Sequence, residues 1–169
     1  MFVPRQFIRF QSSTAYKSTV SLLKTDLKTA MKEKNALKKD TVKGLLSLIK
    51  NKEIDTKESQ HTEFLLYELF SKAISQRRDS IKEYTELKRP ELAQKEQDEI
   101  EVIQGYLKQL PVASEEEVQA KVTELLEKLN AKDLKLNQIF KQVPWDTVKN
   151  EWKASESSVR AAIVKQMKK

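Results

Sequence analysis

Arg77, Arg78 and Asp79 stand side by side in a charge-dense stretch, residues 76–111, whose residue types could do chemistry. A guanidinium offers a planar fork of donors that matches two oxygens of a phosphate or a carboxylate. Arg77 and Arg78 are therefore candidates for a phosphate clamp. They are equally candidates for structural ion pairs with Glu99 and Glu101, should the chain fold back between them, with Asp79 to Lys82 as a local i, i+3 pair. A second set is Lys38, Lys39, Lys43, Lys50 and Lys52, part of a lysine run that begins at Lys28. Such a run could follow a nucleic-acid backbone, each neutralised phosphate adding to the salt dependence of binding. It could also be a solvated face. No aromatic residue is interleaved with these lysines, so base stacking is not expected. Trp145 and Trp152 lie seven apart and are candidates for a core or for a docking patch.

Other chemistries find no residues. The chain has no cysteine and one histidine, His61. That removes thiol nucleophiles, disulfides and Cys- or His-rich metal sites. Glu96, Asp98, Glu99 and Glu101 crowd one segment without a histidine nearby and read as a charged outer face. His61 reads as an exposed loop residue. No G-x-S-x-G, Walker or G-x-G-x-x-G pattern occurs. No catalytic residue, metal or cofactor is assigned.

The elements that must carry these groups are helical. Two glycines and four prolines in 169 residues are too few for the turns of a β-rich fold. Val20, Leu23, Leu27, Ala30 and Met31 form one apolar stripe. After a corner near residues 35–37, Val42, Leu45, Leu46 and Ile49 repeat at i, i+3, i+4, i+7 as a second. A polar loop is expected at residues 53–61, with Thr62 able to cap the next helix. That helix carries Leu66, Leu69, Phe70, Ala73, Ile74 and Ile81. Arg89-Pro90 breaks the pattern, because the residue before proline is pushed out of the α region. Its partner runs from about Glu91 to Leu110, and Pro111 ends it. Ser114 and Glu117 then form a capping box ahead of Val118, Val122, Leu125, Leu126 and Leu129. Shorter pieces follow around Leu134–Val143, Trp145–Trp152 and Val159–Met167. The expectation is an all-α chain: an N-terminal domain of two antiparallel hairpins over residues 16–110, and a small helical bundle over residues 111–169. No apolar run approaches the ~20 residues that a membrane span needs.

The net charge of +7 is unevenly placed. Residues 1–25 hold four basic groups and no acid; residues 26–57 hold nine basic and five acidic groups. The first fifteen residues, MFVPRQFIRFQSSTA, are rich in Arg and Ser and free of acid, the pattern of a mitochondrial transit peptide. The expected location is the mitochondrial matrix, with processing plausible after Phe10.

Three phrases carry a family resemblance. They are LKTDLKTAMKEKNALKKDTVKGLLSLIKNKEID (Leu23–Asp55), QRRDSI (Gln76–Ile81) and LAQKEQDEIEVIQGYLKQLP (Leu92–Pro111). Together they resemble the YqeY-like (GatB/YqeY) family, and the leader resembles its fungal mitochondrial branch. The resemblance implies a helical-hairpin domain followed by a helical domain similar to the tail of the GatB subunit of tRNA-dependent amidotransferases, a module associated with holding tRNA. It thereby implies tRNA or other RNA, an amidotransferase, or other mitochondrial proteins as partners. It also implies an accessory role in carbon–nitrogen ligation with glutamine as amido-N-donor, although the nucleophile and ATP cradle of such an enzyme are not visible. Near its end the chain departs from the family pattern. A glycine-containing phrase of bacterial members is replaced by LKLNQIFKQVPWDTVKNEW, and only SSVRAAIVKQM echoes the last family helix. From the residues and the resemblance together, the expectation is a non-catalytic RNA-associated adaptor, with an amide-transfer accessory factor or a protein–protein scaffold as alternatives.

Overall fold

A computed structural model describes residues 12–131 and 134–168. Those residues form eight α-helices and a short 3-10 turn, with no strand among them. The chain divides into two compact units, residues 1–110 and 111–169.

The first unit holds α1 (Thr14–Lys32), α2 (Ala36–Asp55), α3 (Glu63–Glu86) and α4 (Pro90–Leu107). The helices pair in chain order, α1 with α2 and α3 with α4, and α2 also packs on α4. Each start has a local cause. Ser13 accepts from the Tyr16 amide and Asn35 from the Lys38 amide. Pro90 opens α4 at the position where a missing N–H costs nothing. The α1 and α3 ends turn through Lys34 and Lys88 at φ 56° and 54°. There the Asn35 amide reaches Ala30 O and the Arg89 amide reaches Tyr84 O, satisfying carbonyls at the helix ends. The core comprises Leu23, Val42, Leu45, Ile49, Leu66, Phe70, Ile100 and Ile103, each almost fully buried.

The second unit holds α5 (Glu115–Lys128), α6 (Leu136–Gln142), α7 (Trp145–Asn150) and α8 (Glu156–Met167). The capping box is in place: Ser114 Oγ accepts from the Glu117 amide, and Glu117 accepts from the Ser114 amide. Val118, Val122, Ile139, Val148, Val159 and Ile163 share one core. α6 and α7 have seven and six residues. Helices that short are not stable alone, so packing against the shared core holds them.

Several expectations need correction. The leader read at residues 1–15 lies mainly outside the described residues, but Ser13 already caps α1, so the first helix starts two residues before 16. Met31, placed on the apolar stripe, is 60% exposed in the last turn of α1. Residues 53–55 belong to α2 and residues 58–60 form the 3-10 turn, so the loop is shorter than read. Thr62 is the N-cap of α3 but its side chain makes no capping bond. His61 is buried, not exposed.

Candidate nucleic-acid interface

Arg77 sits on the face of α3 that meets α4. Its Nε and one terminal nitrogen both donate to Glu99 Oε2, at 2.9 and 2.8 Å. The other terminal nitrogen donates to Ala73 O at 3.3 Å, and Glu96 lies 3.9 Å away. The Glu99 side chain is only 13% exposed, so this fork is shielded from water on both sides of the hairpin. Arg78 and Glu101, read as a second pair, do not meet. Both are exposed, and among the described residues neither has an ion-pair partner. The reason is angular. A step of one residue turns a helix by about 100°, so Arg78 leaves the seam that Arg77 occupies, and Glu101, two residues past Glu99, leaves it from the other side. Asp79 and Lys82 pair locally at 3.2 Å on the exposed surface. The fork of Arg77 is thus occupied by a carboxylate, while Arg78 projects outward.

The five lysines of α2 divide in the same way. Lys38 and Lys52 fall on the side of Val42, Leu45 and Ile49, and Lys38 bonds Asp26 at 3.4 Å. Lys39, Lys43 and Lys50 share the opposite flank, four and seven residues apart, and Lys39 pairs with its neighbour Asp40. Lys43 and Lys50 remain exposed and without an ion pair among the described residues.

A longer file of cations lies on α1, of which the sequence reading took in Lys28 and Lys32, within the run from Lys28 to Lys52, but not Lys17 and Lys24. Lys17, Lys24, Lys28 and Lys32 recur at i, i+7, i+11 and i+15. At 3.6 residues per turn they fall within about a quarter of the helix circumference. All four are exposed, and none has an ion pair among the described residues. The only acid on α1, Asp26, is turned to the other side, where it accepts from Tyr106 Oη at 2.5 Å and pairs with Lys38. The signal was available, since Tyr16, Leu23 and Ala30 are the buried positions of α1 and the lysines are what remains opposite them.

Two polar clusters, also missed, fix this helix in place. Tyr16 stacks on the His61 ring, 5.4 Å between centroids, and donates to Glu53 at 2.9 Å. Thr56 Oγ1 donates to Lys52 O, so it must accept from His61 Nε2–H at 3.1 Å, which fixes the tautomer. Ser13 adds a backbone bond to His61 O and a side-chain bond to Glu63. Burial, and then the bond to Glu53, pushes the Tyr16 hydroxyl well above its ordinary pKa; burial and Asp26 do the same for Tyr106. Tyr16 extends the spacing of Val20, Leu23 and Leu27 by one turn, and Tyr106 follows Ile103 by three, so both were legible as stripe members.

In the second unit, the tryptophans pack partly buried against the core. The Arg160 guanidinium lies 4.7 Å from the ring centroids of both Phe140 and Trp145, and Lys121 lies 6.0 Å from that of Trp152. Each tryptophan thus has a cation of the same unit near its ring. Among the described residues no cluster of His, Asp and Glu could hold a metal ion, and no helix is long and apolar enough to cross a membrane.

Comparison with known proteins gives a consistent result. The sequence model of the Yqey-like protein family matches residues 20–168, so the likeness runs through the C-terminal helices where the quoted phrases stop. "Altered inheritance of mitochondria protein 41, mitochondrial" of Kluyveromyces lactis is 46% identical over 98% of this chain and 90% of its own length. The proteins of the same description from Lachancea thermotolerans and Candida glabrata are 49% and 46% identical, over 95% and 98% of this chain and 87% and 92% of theirs.

Proposed function

Because the chain belongs to the YqeY-like protein family, we propose that it is a non-catalytic adaptor that associates with RNA, tRNA being the first candidate, in the mitochondrial matrix. That it is a mitochondrial, all-α protein of YqeY type needs no proposal, given its relatives and its helices. The observation that supports the RNA reading is the availability of charge in the first hairpin. Six lysines, Lys17, Lys24, Lys28, Lys32, Lys43 and Lys50, stand exposed without carboxylate partners among the described residues. Unneutralised cations of this kind attract a polyanion and release its counterions on binding. The remaining basic candidate on α3, Arg78, is exposed too, and could add one contact.

An electrophoretic shift of total tRNA by the purified chain tests the reading. Binding at about 50 mM salt that weakens steeply by about 200 mM is the expected result. Absence of any shift at the lower salt ends it.

A further inference from the structure

We propose that the outer face of α1 is the principal RNA contact, and that it grips the sugar–phosphate backbone rather than the bases. This rests on the RNA-associated reading above and narrows it to one helix and one part of the nucleic acid.

The face has three properties that favour a phosphate backbone. First, it is long. From Lys17 to Lys32 the helix rises about 22 Å, and the last three lysines are about 6 Å apart along it. A cation row of that length faces several phosphates at once. Second, it is not neutralised from within. Asp26 is held by Tyr106 and Lys38 on the buried side, while Glu53, Glu58 and Glu63 are engaged by Tyr16, Ser12 and Ser13 at the helix start. Third, hydroxyl side chains stand among the lysines, and the one large apolar side chain bordering the file is Met31 at its C-terminal end. Ser18, Ser21 and Thr25 lie between the lysines, exposed. The Ser18 and Thr25 hydroxyls donate to Ala15 O and Ser21 O, which leaves the ammonium groups as the donors to phosphate oxygens, and these carry no base information.

The same face disfavours two alternatives. A helix that lies in a lipid surface turns an apolar side into it. The apolar side of α1, with Tyr16, Leu23 and Ala30, is closed into the core. Base recognition by stacking needs exposed aromatic rings. The only aromatic residue of α1 is Tyr16, which is buried on His61. α2 is the weaker surface, because Lys38 and Lys39 are paired and Lys52 flanks the core side, leaving Lys43 and Lys50.

The test uses the whole chain, total tRNA and oligouridylate, with binding constants measured across a salt series. One variant carries Lys17→Gln, Lys24→Gln, Lys28→Gln and Lys32→Gln; a second carries Lys39→Gln, Lys43→Gln and Lys50→Gln. A third replaces the four α1 lysines with arginine. The glutamine variant of α1 is expected to bind tRNA at least about tenfold more weakly near 100 mM salt, with the slope of log K against log salt reduced by about three. The α2 variant loses less, and the arginine variant keeps both affinity and slope. Wild type and variants should bind the two RNAs with similar slopes per contact. If wild type binds tRNA and the α1 glutamine variant binds it equally well, the inference falls and the RNA reading stands. Loss in the α2 variant equal to or greater than that in the α1 variant also overturns it, as does loss in the arginine variant, which would point to a structural role. If wild type binds no RNA but sediments with vesicles of equal parts phosphatidylcholine and phosphatidylglycerol, the inference and the RNA reading fail together.

Discussion

Lys24 and Arg160 show how the two units differ. Both are cations on helices of all-α units. Lys24 stands in solvent on α1 with no ion pair among the described residues. Arg160 lies between the rings of Phe140 and Trp145 and donates twice to Glu156, at 2.9 and 2.6 Å. The pattern extends beyond these two. In the second unit Lys121 lies 6.0 Å from the Trp152 ring centroid, Lys128 bonds Glu124 and Lys165 bonds Glu115. In the first unit the outer face of α1 leaves Lys17, Lys24, Lys28 and Lys32 without an ion pair among the described residues, and α2 leaves Lys43 and Lys50. The second unit also has exposed lysines without an ion pair among the described residues, Lys141, Lys149, Lys153 and Lys168. They are scattered over short elements, whereas in the first hairpin four stand in file on one helix face. Net charge by itself would not have separated the two.

The largest test of this division concerns the cores. All four tyrosines fall in the first unit and both tryptophans in the second, so tyrosine and tryptophan fluorescence report on different units. Phe70 is fully buried in the first core and Ile163 in the second. Phe70→Ala should destabilise the first unit by about 3–5 kcal/mol and Ile163→Ala the second by about 2–5 kcal/mol. Each is expected to move mainly its own probe's transition in urea. Coincident shifts of both probes in both variants would show that the units unfold as one and would break the comparison.

Ion pairs sharpen it next. Arg77 is the first unit's internal cation, and its fork is mostly shielded. Arg77→Ala removes two charge-assisted bonds and leaves Glu99 nearly buried, so a loss of about 2–3 kcal/mol is expected. Arg77→Lys should recover less than half, because an ammonium has no fork. Arg160→Ala in the second unit should cost only about 1 kcal/mol, since that side chain is 42% exposed and its ring contacts lie partly in water. A double-mutant cycle of Arg160 with Trp145 would show whether the stacked guanidinium contributes at all; zero coupling would remove it from the account.

How much of this was legible follows the same division. In the first unit, helices of 18 to 24 residues gave enough turns for the 3.6-residue period to declare itself. Arg89-Pro90 marked the corner, and Arg77 could be set opposite Glu99 by counting back from it. In the second unit α6 and α7 are about two turns each, and their ends depend on contacts such as the Ala113 amide with Lys153 O, which no local pattern encodes. The capping box at Ser114 was readable because it is written in four consecutive residues. His61 was misread because its burial comes from Tyr16, 45 positions earlier in the chain and then taken as the edge of a leader. Lys17 and Lys24, the first half of the α1 file, were missed for a simpler reason. Attention to a run of adjacent lysines favours α2, while exposure is decided by angle around the helix.

A smaller effect separates the units by pH. An unfolded tyrosine titrates near pH 10. Tyr16 and Tyr106 are raised well above that, first by burial and then by their carboxylate partners Glu53 and Asp26. Their stabilising effect is therefore complete below about pH 10 and is lost as pH climbs past it, because the unfolded chain releases protons that the folded unit retains. The first unit should weaken on this limb, and Tyr106→Phe should flatten it while costing about 1 kcal/mol at neutral pH. The second unit has no tyrosine to contribute. An alkaline limb unchanged in Tyr106→Phe would mean that the Asp26 bond does not persist in solution.

The smallest effect bears on what the first unit keeps open. Its two glycines, Gly44 and Gly105, are the chain's only ones, and both lie inside helices, exposed, with nothing within 4 Å of where a Cβ would stand. The left-handed turns at Lys34, Lys88, Asn130 and Lys153 are meanwhile made without glycine. Packing does not require Gly44, and helix propensity opposes it. Gly44→Ala should therefore stabilise the first unit by about 0.5–1 kcal/mol, a rise of a few degrees in midpoint for a unit of this size. Lys34→Gly should add a comparable increment by relieving the positive φ, and Lys153→Gly should do the same in the second unit. The informative measurement is tRNA affinity of Gly44→Ala beside its melting temperature. Stability that rises with affinity unchanged makes the glycine incidental. Stability that rises while affinity falls would mean that a partner's backbone approaches α2 closely there, and would add part of α2 to the contact surface assigned to α1.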